Sequence, residues 1–153
     1  MAQFKILGVN HLGLAAKDPQ KCHWFISEVL GLEFLGPELV APQKTMTEMF
    51  SASSNLTNPP GFPSRLEILI PQVSTNDGPI SKYLEKKGGG IHHVALAVDN
   101  LEAALAHLKG KGVRLIDESP RAGAHDTLIA FVHPDSAGGI LFELVQEKPR
   151  TSR

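Results

Sequence analysis

The sequence predicts an α+β fold built from two paired βαβββ modules that form a curved mixed sheet, or half-barrel. Three observations lead to this prediction. The segment NHLGLAAKD, which contains His11, is nearly repeated later in the chain as IHHVALAVDN, which contains His93. A helix-like stretch follows each histidine, and each half then contains an apolar segment with a single glutamate, RLEILIP or ILFELVQ. Because one such module cannot bury both faces of its sheet alone, pairing of the two copies is the economical arrangement.

The bulk composition is that of an ordinary globular domain. The 153 residues suffice for one domain, and 15 basic against 16 acidic residues give a formal charge of −1, which does not suggest binding to nucleic acid. No apolar stretch reaches the length of a membrane span and no signal-peptide pattern is visible, so we expect a cytoplasmic protein without membrane contact. The single Cys22 excludes an intrachain disulfide and is expected to be a packed side chain.

The first module covers residues 5–73. A strand is predicted over 5–16, and Asp18 and Pro19 then fit the N-cap and the first position of a helix that Gly31 ends. Between the last two predicted strands, the segment SASSNLTNPPGFPS is rich in loop-forming residues. The three strands that follow the helix are predicted near 32–40, 45–52 and 64–71.

The second module covers residues 89–147, and a linker with a short helix, at 74–88, joins it to the first. The whole chain, 1–153, is therefore expected to form a single domain. The module repeats the same order, beginning with a strand over 91–98 and a helix over 100–111 whose leucines recur at helical spacing. Its remaining strands are predicted near 113–117, 126–133 and 139–146.

Strand alternation selects one histidine in each module. Alternate side chains of a strand share a face, so His93 lies with the small Ala95 and Ala97, whereas His92 lies with bulky residues that suit packing against a helix. His11 likewise shares its face with small residues. We therefore expect His11 and His93 to face the open side of the sheet.

Two glutamates lie in apolar strands, where an unpaired carboxylate is costly. Glu67 lies within LEILI and Glu143 within LFELV. A divalent cation would be a suitable partner, and two imidazoles with two carboxylates suit Zn²⁺, Co²⁺, Mn²⁺, Ni²⁺ or Fe²⁺. A single histidine at a strand start is ordinarily structural and a lone glutamate commonly faces solvent. The occurrence of all four at matching positions of a repeat favours one shared metal site at the centre of the half-barrel.

The remaining histidines are expected to be structural or solvated. His23 and His107 fall on predicted helices and are expected at the surface, and His133 precedes a proline in a turn. His125 is the exception to watch, because its loop could contact a substrate.

Five segments together resemble the vicinal-oxygen-chelate superfamily, which includes glyoxalase I, bleomycin-resistance proteins and extradiol dioxygenases. They are GGGIHHVALAVDNLEAAL, GVRLIDESPRAGAHD, FVHPDSAGGILFELVQ, NHLGLAAKD and EVLGLEF. Within the superfamily the chain is most similar to the methylmalonyl-CoA epimerases. The resemblance implies that His11, Glu67, His93 and Glu143 are metal ligands, with Co²⁺ favoured. The second ligand is often glutamine in that family, so Glu67 adds a negative charge.

The resemblance also implies a reaction and its catalytic groups. The expected activity, part of propionate metabolism, interconverts (R)- and (S)-methylmalonyl-CoA through a metal-stabilised enolate. Glu48 matches the position proposed for a catalytic acid–base group, and Glu143 is the second candidate. The expected partners are an acyl-CoA substrate and a second copy of the chain in a homodimer.

Three rival functions remain open within the same superfamily. A lactoylglutathione lyase of the glyoxalase I type moves a proton between adjacent carbons of a hemithioacetal. A dioxygenase typically binds Fe²⁺ through two histidines and one carboxylate, and the fourth ligand candidate argues against it. A non-enzymatic drug-binding module of the bleomycin-resistance type needs no metal.

Overall fold

The computed structural model describes residues 3–52, 64–72 and 77–148. Most of the loop predicted between the third and fourth strands, and the polar tail after residue 148, lie outside the described residues. The chain divides into two compact units, one comprising His11–His92 and the other comprising the segment up to Asn10 together with the chain from His93 onward. Within the described part of the chain, no helix is both long and apolar enough to cross a membrane.

The elements of the unit His11–His92 are β1 (Ile6–Ala15, which enters this unit at His11), α1 (Pro19–Trp24) continued by a π-helical turn (Phe25–Val29), β2 (Glu33–Val40), a 3₁₀ turn (Ala41–Gln43), β3 (Thr45–Ser51), β4 (Arg65–Pro71) and α2 (Pro79–Lys87). The four strands form a mixed sheet in the order β2-β3-β4-β1. The β4–β1 pairing is parallel, and the β2–β3 and β3–β4 pairings are antiparallel. A carboxylate oxygen of Asp18 accepts a hydrogen bond from the main-chain N–H of Lys21 at 3.0 Å, so the predicted N-cap is confirmed.

The two faces of this sheet are covered differently. On one face, Ile26 from the π-helical turn packs against Phe50 of β3 and Ile68 of β4. On the other face, Ile80 of α2 packs against Ala15 and Leu69. The side on which a strand residue points therefore decides whether it meets the α1 segment.

The second unit repeats this plan with β5 (Gly90–Val98, which enters this unit at His93), α3 (Leu101–Gly110), β6 (Arg121–Ala122), a 3₁₀ turn (Ala124–Asp126), β7 (Thr127–Val132), a second 3₁₀ turn (Pro134–Ala137) and β8 (Phe142–Glu147). Its strands lie in the order β5-β8-β7-β6. The β5–β8 pairing is parallel and the others are antiparallel. The helix begins after Asn100, whose side chain caps the main-chain N–H of Ala103, and it buries Leu101 and Leu105 against the sheet.

One predicted strand, near 113–117, was wrong. Only an isolated bridge between Leu115 and Val132 occurs there, and the strand of this module that follows the helix is the two-residue β6. The reason is local. The main-chain N–H groups of Ile116 and Asp117 both donate to the carbonyl of Phe131, while the Asp117 side chain, not a main-chain carbonyl, accepts the Phe131 N–H at 2.8 Å. The Asp117 side chain thus takes the place of the main-chain carbonyl that would accept the next hydrogen bond of the strand pair, so the strand cannot extend.

The predicted fold class is confirmed. Each module has the order β-α-β-β-β, and each contains a mixed sheet with one parallel pair between its first and last strands. The parallel pairs bring the start of each module next to its end, and these are the strands that carry the histidines and the buried glutamates.

Candidate metal centre

The first module carries a buried histidine–glutamate pair. In the parallel β1–β4 register, Glu67 lies opposite Gly13, so His11, two residues earlier than Gly13, points to the same face. Each residue is only 5% exposed. His11 Nε2 and Glu67 Oε1 are 3.6 Å apart.

The second module carries an equivalent pair in the same register. Glu143 lies opposite Ala95 in the parallel β5–β8 pair, and His93 again lies two residues before the register partner of the glutamate. His93 and Glu143 are 4% and 6% exposed, and their Nε2 and Oε2 atoms are 3.0 Å apart. The repeat seen in the sequence is therefore also a repeat of side-chain geometry.

Within each pair, the histidine and the glutamate have the geometry expected of two neighbouring ligands of a metal ion. Ligand atoms about 2.1 Å from a common cation are separated by about 3.0 Å at octahedral angles and about 3.4 Å at tetrahedral angles. The His11–Glu67 distance of 3.6 Å is too long for a good hydrogen bond, so that bond does not explain the pair. Neutral imidazole nitrogens and carboxylate oxygens are donors that Zn²⁺ and its neighbours in the transition series accept. The residues present fit a divalent metal ion.

Strand alternation placed the two neighbouring histidines of β5 as expected. His93 is buried and contacts Glu143, whereas His92 is half-buried and its ring meets the ring of Tyr83 edge-on at 5.0 Å. The ring of Phe131, from β7, meets the His93 imidazole edge-on at 5.7 Å. The position of Phe131 was not anticipated from the sequence.

Glu48 lies on the face of the sheet opposite to the one that carries Glu67. In the β3–β4 register, Met49 is opposite Glu67 and Glu48 is opposite Ile68, so Glu48 and Glu67 point to opposite faces of the sheet. Glu48 instead lies on the face covered by the α1 segment. Glu48 is therefore not beside the His11–Glu67 pair, and its catalytic role stays a prediction.

The partner of Glu48 is His23, which was expected to be a surface residue. His23 Nδ1 and Glu48 Oε2 are 2.7 Å apart, and the His23 ring meets the rings of Phe34 and Phe50 edge-on at 4.7 and 5.0 Å. Partial burial, and then the negative charge of Glu48, raise the pKa of the neighbouring Cys22 thiol above its usual value. This thiol is therefore protonated at neutral pH, as expected of a packed cysteine.

The other histidines are peripheral in their own units. His133 has a structural role, as expected, because its Nδ1 accepts the main-chain N–H of Asp135 at 3.1 Å. His107 is half-buried and its ring packs against that of Phe4 at 5.5 Å, so it is less exposed than predicted. His125 is exposed and has a left-handed backbone, with φ of 56°.

Three comparisons relate this chain to known proteins. The family model described as the Glyoxalase/Bleomycin resistance protein/Dioxygenase superfamily matches residues 10–131. The mitochondrial methylmalonyl-CoA epimerase of Bos taurus is 37% identical over 139 residues, which cover 90% of this chain and 73% of the relative. The ethylmalonyl-CoA/methylmalonyl-CoA epimerase of Cereibacter sphaeroides is 31% identical over 140 residues, 90% of this chain and 96% of that protein.

A solved structure of a methylmalonyl-CoA epimerase, in complex with methylmalonyl-CoA and NH4+, superposes with a TM-score of 0.84. It is 30% identical and the match covers 97% of this chain and 100% of that one. The resemblance noted from the sequence motifs is confirmed by these comparisons.

Proposed function

Because the chain belongs to the glyoxalase/bleomycin resistance protein/dioxygenase superfamily, we propose that it is a metal-dependent epimerase of methylmalonyl-CoA. Its epimerase relatives support epimerase activity, and the relative solved with methylmalonyl-CoA supports an acyl-CoA substrate. The observation that carries the proposal is the pair of buried His–Glu contacts, set in one register in both modules.

The proposed metal ligands are His11, Glu67, His93 and Glu143, acting together on one ion. His11 and Glu67 form a buried pair in one unit, and His93 and Glu143 form the equivalent buried pair in the other. Two carboxylates would balance the charge of a divalent cation, which lowers the cost of burying all of these groups. Co²⁺ is our favoured ion, and the same donors accept Zn²⁺, Mn²⁺, Ni²⁺ or Fe²⁺.

The proposed reaction removes and returns the C2 proton of the substrate, which lies between a thioester and a carboxylate. The bound cation would supply the positive charge that stabilises the enolate oxygen. Inversion needs a proton acceptor on one face of C2 and a donor on the other. With Glu48 turned to the opposite face of its sheet, we assign these roles to the buried carboxylates Glu143 and Glu67.

We further propose that the two modules act as one domain over residues 1–153, in a cytoplasmic homodimer that needs neither nucleic acid nor a membrane. The acyl group is methylmalonyl in our proposal, and ethylmalonyl is the alternative that the name of the Cereibacter relative suggests. Glyoxalase I-type lyase activity and metal-free drug binding are the functional alternatives.

The direct test is exchange of the C2 proton of methylmalonyl-CoA in deuterated water, by the protein stripped of metal and then supplied with Co²⁺. We expect exchange that depends on the ion. Ethylmalonyl-CoA and the glutathione adduct of methylglyoxal are run in parallel. Turnover of the glutathione adduct alone would identify a lyase, and absence of any metal-dependent exchange would contradict the proposal.

Three matched carboxylate variants test the residue assignment. Glu143→Gln should lower the exchange rate about 100-fold or more, the usual effect of losing an acid–base group. Glu102→Gln, on the exposed surface of α3, is the control and should behave as the parent. Glu48→Gln should also retain exchange because it lies on the other face, and loss of exchange in a folded Glu48→Gln protein would restore its catalytic role.

A further inference from the structure

We propose that Asp117 is a positioning residue for His93, acting through Arg121 and Phe131. The inference rests on the proposed function, because it concerns His93 as a metal ligand. All four residues belong to the same compact unit. None of the relatives' names and none of the sequence motifs assigns Asp117 a role.

Asp117 uses both carboxylate oxygens to hold its neighbours. Oδ1 accepts a hydrogen bond from Arg121 Nε at 2.9 Å, and Oδ2 accepts one from the main-chain N–H of Phe131 at 2.8 Å. The Asp117 side chain is 16% exposed, so these bonds are partly shielded from water. One carboxylate therefore fixes both the backbone of Phe131 and the cation beside it.

Arg121 packs its guanidinium group over the Phe131 ring. Its guanidinium carbon lies 5.6 Å from the ring centroid, within the range of a cation–π contact. Residues opposite each other in the β6–β7 and β7–β8 registers share a face, which places Arg121 and Phe131 on the same face as Glu143. The Arg121 guanidinium thus contacts Phe131 on the face that carries the His93–Glu143 pair.

Phe131 touches both members of that pair. Its ring meets the His93 imidazole nearly perpendicularly, at 87° and 5.7 Å, and its backbone lies opposite Glu143 in the β7–β8 register. A perpendicular neighbouring ring restricts rotation of the imidazole about its side-chain torsion. Groups that orient a metal ligand without touching the ion typically change metal affinity 10- to 100-fold when they are removed.

Asp117→Asn is the most informative substitution. An asparagine keeps one acceptor oxygen but places an N–H donor against either Arg121 Nε or the Phe131 N–H, so one of the two hydrogen bonds is lost. The readouts are Co²⁺ affinity by titration of the metal-stripped protein, the visible absorption of the bound Co²⁺, and the melting temperature. We expect about tenfold weaker Co²⁺ binding and a shifted visible spectrum.

Asp135→Asn is the matched control, because Asp135 also pairs with an arginine, Arg114, but both of those side chains are exposed. It should bind Co²⁺ as the parent does. If Asp117→Asn fails to fold, Arg121→Met removes the cation while leaving Asp117 to hold the Phe131 N–H, and Arg121→Lys should restore part of the affinity. Arg121→Met should weaken Co²⁺ binding and shift the visible spectrum in the same direction as Asp117→Asn, but by a smaller amount.

The outcomes separate this inference from the proposed function. Suppose that the parent protein binds Co²⁺ and that Asp117→Asn, or Arg121→Met in its place, keeps the parent's affinity and spectrum. Asp117 would then only stabilise the fold, and the inference would be overturned. Parent protein that does not bind Co²⁺ at all would overturn the metal site and the inference together.

Discussion

His23 and Glu48 connect the α1 segment to β3 through a short polar contact in an otherwise apolar layer. Their 2.7 Å contact is surrounded by Phe34 and Phe50, and the two side chains are 33% and 19% exposed. Breaking a polar pair in such a layer costs more free energy than forming the pair contributes, because the remaining carboxylate loses its partner in a poorly solvated position.

Replacement of His23 by alanine should therefore lower stability. We expect the free energy of unfolding in urea to fall by about 1–3 kcal/mol, from the lost hydrogen bond and the lost ring contacts. Lys21→Ala is the control, since Lys21 is exposed on the same helix and alanine favours helix. Equal unfolding midpoints for the two variants would show that the His23–Glu48 contact contributes nothing.

Strand alternation predicts which face of a strand each histidine and each glutamate occupies. His93 follows the small side chains of its strand, and the structure buries it against Glu143. Glu48 shares its strand face with Met46 and Phe50, a bulky set typical of a face covered by a helix, and it lies on the face that the α1 segment covers. The catalytic role suggested by residue type and family position stays a prediction, whereas the side on which Glu48 points is fixed by its strand neighbours.

At the scale of single elements, the β6–β7 turn is a tightly constrained segment of the second unit. His125 and Asp126 both have positive φ, of 56° and 57°, a backbone conformation that residues other than glycine adopt at some cost in free energy. Gly123, just before them, has φ of −110°, so its backbone is unstrained. What requires glycine there is space, because a Cβ would lie 2.5 Å from Ile129 Cγ2 and 2.8 Å from Thr127 Oγ1.

Gly123→Ala should consequently destabilise the protein by a purely steric effect. Accommodating the added methyl group must displace β7 or its side chains, and overpacking of this kind costs about 1–3 kcal/mol. Gly110→Ala is the control, because nothing lies within 4 Å of its Cβ position at the end of α3. Thermal melts of both variants test this, and a Gly123→Ala protein as stable as Gly110→Ala would contradict the close approach.

The strand wrongly predicted near 113–117 shows where periodicity is insufficient. The segment has suitable residues, but Asp117 is followed by Glu118-Ser119-Pro120, which is turn chemistry. The turn signal indicated where the strand could no longer continue. That Asp117 would reach the N–H of Phe131, distant in sequence, depends on tertiary structure and could not be inferred from local pattern.

At the scale of the whole molecule, the repeat carried most of the correct predictions. The order of elements in the two βαβββ modules follows from comparing the chain with itself, and the structure confirms it. The same comparison selected His11, Glu67, His93 and Glu143, whose role as metal ligands stays a prediction. The identical offset between histidine and glutamate in each register is visible only in the structure. The contacts that break the symmetry, such as His23–Glu48 in one module and Asp117–Arg121 in the other, had no counterpart to reveal them.

Removal of metal tests the proposal that both modules supply ligands to one ion. A ligand that binds only the folded state adds about 2.7 kcal/mol of stability at 100 times its dissociation constant, so Co²⁺ should raise the melting temperature and EDTA should lower it. We expect one Co²⁺ per chain, and either His11→Ala or His93→Ala should abolish most of the Co²⁺-dependent stabilisation, because each removes a ligand of the same ion. Glu102→Gln should retain the whole effect. If each histidine variant instead kept a full-affinity Co²⁺ ion, the two His–Glu pairs would be separate sites, and the modules would not share a metal.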